Sequence, residues 1–143
     1  MIKQYLKSIS KILTNKNQKE YYNWILANGK LFNGKQIKPI ETPNNERKKC
    51  FYNSQMLALS EKYEYWEGWY VTKCFPLPFE HGWNMLDGNI IDVTAYGKFE
   101  VNEYFGVKIP IGYIRKMLLK TGYSDGYLGR YYYEVILNGN ITD

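Results

Sequence analysis

Apolar positions 2, 5, 6, 9, 12 and 13 recur at helical spacing, so Ile2, Tyr5, Leu6, Ile9, Ile12 and Leu13 predict an amphipathic first helix. Its other face carries Lys3, Lys7 and Lys11. A second cluster, Tyr21-Tyr22 with Trp24-Ile25-Leu26, predicts another helix that Gly29 would stop. Asn33-Gly34 reads as a turn, and the polar stretch 38–49, with two prolines, as a loop. A buried helix follows, built on Phe51, Met56, Leu57, Ala58 and Leu59, with Cys50 at its start. The pattern then changes. Residues 63–73 and 79–86 are rich in aromatic and β-branched types and predict strands. Asp87-Gly88 is a hairpin-type turn, with residues 89–94 as the returning strand. Ile111, Ile114, Met117, Leu118 and Leu119 predict a helix over 111–121, capped by Gly122. Residues 131–137, YYYEVIL, read as a last strand. The sum is an α+β domain in which N-terminal helices pack on an antiparallel sheet.

Length and composition sharpen this picture. A chain of 143 residues fits one domain able to bury its own core. Within it, residues 1–49 form a basic helical part, 50–110 the part that would carry chemistry, and 111–143 a C-terminal helix and strand. Residues 1–49 hold 11 Lys/Arg and 3 Asp/Glu, while residues 50–143 hold 8 and 11. The basic part could attract an acidic partner, although such charges more often form a solvated face; nucleic acid is the less expected ligand. The 15 tyrosines suit a mixed polar and apolar interior better than a recognition surface. Two cysteines, Cys50 and Cys74, are too few for a disulfide scaffold. The alternating start MIKQYLKSISKIL lacks a signal-peptide core, and no apolar run approaches a membrane span. A cytoplasmic protein with reduced thiols is expected.

Candidate chemistry centres on Cys50. A thiolate is the reactive form of cysteine, and both a helix N-terminus and nearby cations favour it. Here Arg47, Lys48 and Lys49 precede the expected helix start. A buried structural cysteine is the competing reading. His81 is the sole histidine. If the Asp87-Gly88 hairpin is tight, residues 84 and 91 lie opposite one another, as do 83 and 92. His81 and Asp92 then share a face, offset by two positions, within side-chain reach. A slip of one residue would separate them. Asp92, next to Thr94, could instead cap a turn. A general base for the thiol, oriented by a third group, completes a nucleophilic site.

A cysteine at a helix start, a strand, His-x-Trp, and a strand ending in Asp-x-Thr is an order that resembles papain-like and transglutaminase-like proteins. His81-Gly82-Trp83 followed by Ile91-Asp92-Val93-Thr94 is similar to the HxW…DxT pattern of the transglutaminase core. Arylamine N-acetyltransferases share the Cys, His, Asp order. Small bacterial and phage proteins also show similar motifs in order. The matching residues are Cys50-Phe51-Asn53, Glu67-Gly68, His81-Trp83, Asp87-Gly88-Asp92-Thr94 and Tyr104-Phe105-Gly106. The likeness spans residues 50–107. The Cys50-to-His81 spacing is short, at 31 residues, and Val93 stands where proline is common. The resemblance implies a papain/transglutaminase-like core. It also implies a cysteine-dependent hydrolase or acyl transferase acting on a protein or peptide-like substrate through a thioester. Cys50, His81 and Asp92 would be catalytic. The Cys50 amide is the natural first oxyanion donor, and Asn53 or Gln55 could lend a second or simply sit on the helix surface. Trp69 and Trp83 could wall a substrate slot, or be core as strand tryptophans usually are. Tyr104-Phe105-Gly106 reads as packing and a turn.

No cofactor signature is present. Cys50, Cys74, His81 and Asp92 include no closely spaced ligand pair, so a metal site is not expected. The rival to an enzyme is a non-enzymatic binding module engaging an acidic partner or nucleic acid.

Overall fold

The computed structural model describes residues 1–40 and 48–139. Arg47 and most of the expected 38–49 loop therefore lie outside the described residues. The elements are α1 (Ile2–Ile12), α2 (Lys16–Asn28), β1 (Lys30–Asn33), α3 (Cys50–Ala58), β2 (Glu64–Thr72), β3 (Phe75–Leu86), β4 (Asn89–Ile91), β5 (Val101–Ile109), α4 (Ile111–Thr121) and α5 (Leu128–Tyr131). A π-helical segment, Tyr132–Leu137, continues α5. The strands form one antiparallel sheet in the order β1-β5-β2-β3-β4. The α+β class and the helices packed on an antiparallel sheet are as expected from the sequence.

Strand β2 lies at the centre, and its alternation sorts the molecule into two sides. Tyr65, Trp69 and Val71 enter the main core beneath the helices, with Phe105, Val107 and Ile109 of β5. Ile2, Leu6 and Ile25 close that core from α1 and α2 and are fully buried, each contributing roughly 1.5–3 kcal/mol. Trp66 and Tyr70 point the other way, into a second cluster with Trp83 and Tyr104. The α1 start is tied down as well, since the Ile2 amide donates to Glu103 at 2.7 Å. Asn15 caps α2 by accepting from the Gln18 amide at 3.1 Å.

The expected hairpin forms with the expected register. Asp87 and Gly88 both take positive φ, 51° and 78°, the geometry of a tight turn whose twist matches the flanking strands. Asn84 then pairs with Ile91. Strand β4 is only three residues long, so Asp92 sits just past its end. Residues 75–83 of β3 consequently have β2 on one side and no β4 partner on the other.

Helix α3 packs where Gly82 gives it room. A Cβ at Gly82 would lie 2.9 Å from the Ser54 hydroxyl and 3.0 Å from the Phe51 ring. The Asn84 side chain donates to the Ser54 carbonyl at 2.8 Å. Gly82 and Asn84 thus face α3, while His81 faces the opposite side.

Two expectations fail. Residues 131–137 are helical, not a strand. Strand β5, with Gly106 inside it, occupies a stretch read as packing and a turn. No helix among the described residues is long and apolar enough to cross a membrane.

Candidate active site

Three elements bring Cys50, His81 and Asp92 together. Cys50 is the first residue of α3, half-buried. His81 lies in the middle of β3, opposite Gly68 of β2. Asp92 follows β4. The Cys50 side chain hydrogen-bonds the imidazole, and both residues line one cavity.

Asp92 is held by three donors. Its Oδ2 accepts from His81 Nε2 at 2.7 Å and from the Tyr104 hydroxyl at 2.7 Å. Its Oδ1 accepts from the Ala95 amide at 3.0 Å. Both sequence readings of Asp92 therefore hold together: it pairs with His81 and it caps the turn that follows. Burial alone would raise its carboxyl, but the imidazole charge and these hydrogen bonds hold it below the usual range. His81 is the mirror case. Burial pushes the imidazole down, yet Asp92 prevails and, with a hydrogen bond to Cys50, raises it to about 10. Since Nε2 is committed to Asp92, Nδ1 is the ring nitrogen left to the sulfur.

Two further contacts fix the imidazole plane. The Tyr70 ring lies flat upon it, at 3.8 Å and 4°. Trp83 lies nearly parallel at 6.4 Å. Trp83 is fully buried, so it supports the histidine from within the core and does not wall a slot. Trp69 is corrected too. It sits on the helical side of β2, against Tyr22 at 6.2 Å, away from the imidazole. Asn53 is likewise enclosed: its Nδ2 donates to Thr94 Oγ1 at 2.9 Å, tying α3 to the turn after Asp92. Gln55 spends its amide on the Tyr65 hydroxyl and the Asp125 carbonyl, at 3.0 and 2.7 Å. Both are buried, so neither is a surface residue of the helix. The Cys50 backbone N–H lies in the first turn of α3, where helix amides have no intrahelical acceptors.

Cys50 and His81 open onto a cavity of about 980 Å³, whose walls include Tyr70, Phe79 and Phe99, with Lys48 and Lys98 as its cations. Sequence reasoning missed Tyr70, Phe79, Phe99 and Tyr104 as site residues. The available signal was period-two alternation: Phe79 and His81 share one face of β3, and Tyr70 pairs with both Phe79 and Tyr104 across the sheet. Cys74 is exposed at the β2–β3 turn, with its sulfur 3.4 Å from the Thr72 hydroxyl. Among the described residues, no group of three or more His, Cys, Asp or Glu side chains is placed to hold a metal ion.

No family model, curated protein or solved structure matches this chain.

Proposed function

We propose that the protein is a cysteine-dependent hydrolase or acyl transferase with a trimmed papain- or transglutaminase-like core. The observation that carries this reading is the continuous chain from the Cys50 sulfur through His81 to Asp92, walled by a cavity at the sulfur and buried behind it. A structural cysteine has no need of a charged imidazole, and a buried His–Asp pair is costly to build.

The geometry supports the following cycle. The Cys50 thiolate, beside the His81 imidazolium, attacks an amide carbonyl carbon. The resulting oxyanion meets the first-turn amides of α3, beginning with that of Cys50. His81 Nδ1–H passes its proton to the departing amine, the C–N bond breaks, and an acyl thioester remains on Cys50. Neutral His81 then deprotonates water or an incoming amine, which attacks the thioester and releases the Cys50 thiolate. Asp92 keeps the ring in place and balances its charge throughout.

Iodoacetamide alkylation tests this reading, with Cys74 as the internal control. Cys50 is expected to react at least tenfold faster than Cys74 at pH 6, and His81→Ala to abolish the difference. Equal rates at the two cysteines, insensitive to His81→Ala, would sink the enzyme reading in favour of a binding module.

A further inference from the structure

Cys50 borders two cavities, not one. The first, described above, holds His81. The second, of about 780 Å³, is bordered by Cys50 but not by His81. Its walls include Tyr52, Met56, Leu59, Leu118 and Tyr123. Phe79 lines the first cavity and Phe75 packs on it, with ring centroids 5.1 Å apart. The two rings stand 46% and 45% exposed. Single exposed apolar side chains are ordinary, but an exposed aromatic pair at a reactive centre is not.

Proton chemistry gives these two arms different tasks. The departing nitrogen takes its proton from His81, so it must lie on the imidazole side. The acyl group stays on the sulfur, so it must extend the other way. We infer that the cleft is directional and takes a polypeptide at an interior amide. The residue carrying the reacting carbonyl inserts a large apolar side chain between Met56 and Leu118. The chain on the nitrogen side, whether leaving group or incoming amine, enters the His81 cavity and meets the Phe79–Phe75 pair. This assignment rests on the cysteine-nucleophile function proposed above.

The test separates the arms. Acylation is measured with N-acetyl-aminoacyl thioesters of one common thiol, with Gly, Leu or Phe as the acyl residue. The acyl-enzyme is then partitioned between water and two amines, Gly-Gly amide and Leu-Phe amide. In the wild type, Leu and Phe are expected to acylate at least tenfold faster than Gly, and Leu-Phe amide to be the better acceptor. Met56→Ala should shrink the acyl preference several-fold and leave the acceptor preference intact. Phe79→Ser, at an exposed position, should erase the acceptor preference and leave the acyl preference intact. A crossed pattern, or no response of either preference, overturns the assignment while acyl-Cys50 is still seen by mass spectrometry. Absence of any acyl adduct on wild-type Cys50 overturns the underlying function, and the assignment with it.

Discussion

Two buried carboxylates, Asp92 and Glu67, have nearly the same hydrogen-bond environment and opposite behaviour. Asp92 accepts from a tyrosine hydroxyl, a backbone amide and the His81 ring. Glu67 accepts from the Tyr65 hydroxyl at 2.6 Å and from the Tyr127 and Leu128 amides at 2.8–3.0 Å. Both are buried. Yet Asp92 is held below the usual carboxylate range, whereas burial pushes Glu67 up to about 7 against its three donors. The difference is a cation. Three neutral donors do not compensate for the loss of water around a carboxylate, but an imidazolium in contact does. Asp92 is thus built to stay charged and hold a proton on its neighbour. Glu67 is built to anchor the start of α5 to the middle of β2.

The largest way to break this contrast is Asp92→Asn, which leaves His81 buried without its counter-charge. A loss of about 3–5 kcal/mol in unfolding free energy is expected, with Cys50 alkylation falling at least tenfold. Retained stability and reactivity would mean that the ion pair is dispensable. Next is the pH profile of stability. Glu67 holds its proton more tightly folded than unfolded. Its stabilisation is therefore full below about 4.5 and is lost as pH rises toward about 7, a change of up to about 3 kcal/mol. His81, also raised, contributes stability that is full below about 6.5 and lost as pH rises through about 10. Asp92, lowered, contributes above about 3.8, and that contribution is lost as pH falls. Chemical denaturation across pH 4 to 10 reads the sum. Glu67→Gln should flatten the decline between pH 4.5 and 7 while costing about 1 kcal/mol at pH 5; an unchanged decline would assign it to another group. The smallest effect is expected from Tyr104→Phe, which removes one of the three donors to Asp92. It should cost about 1 kcal/mol and slow Cys50 alkylation only slightly, because His81 still holds its counter-charge. A collapse of reactivity as large as that of Asp92→Asn would move the essential contact from the imidazole to the phenol.

The site was more legible in the sequence than the sheet around it, for physical reasons. The Asp87-Gly88 turn fixes a two-residue hairpin, so the 84-to-91 register, and with it the approach of His81 to Asp92, could be read locally. Cys50 could be placed at a helix start because a polar stretch gives way there to apolar periodicity. Strand β5 was hidden by Gly106, which looks like a turn residue. In the fold that glycine is forced by crowding, since a Cβ there would lie 2.3 Å from the Glu67 carbonyl oxygen and 2.6 Å from the Trp83 ring. Residues 131–137 mislead in the opposite sense. Tyr, Val and Ile favour strands, but Glu67 receives the Tyr127 and Leu128 amides and so starts a helix just upstream. Aromatic packing of Tyr131 on Tyr113, with centroids 5.3 Å apart, holds that helix against α4. Both errors trace to Glu67 and its strand, a long-range influence that no local window contains. The roles given to Trp69, Trp83 and Asn53 failed for a related reason. Composition identifies a residue able to line a slot, but strand parity and tertiary contacts decide which side of the sheet it meets.

The parallel stacking of Tyr70 on His81 has a spectroscopic consequence. A proton held above an aromatic ring experiences the ring's induced magnetic field and resonates upfield of its ordinary position. At 3.8 Å and 4° the imidazole carbon-bound protons lie in that shielding region. The chain contains one histidine, so its two ring C–H resonances need no assignment by mutagenesis. A proton spectrum of the intact protein can therefore report, from two displaced lines, whether the stack is formed, at which pH the ring gives up its proton, and whether a molecule entering the cleft tilts the tyrosine away.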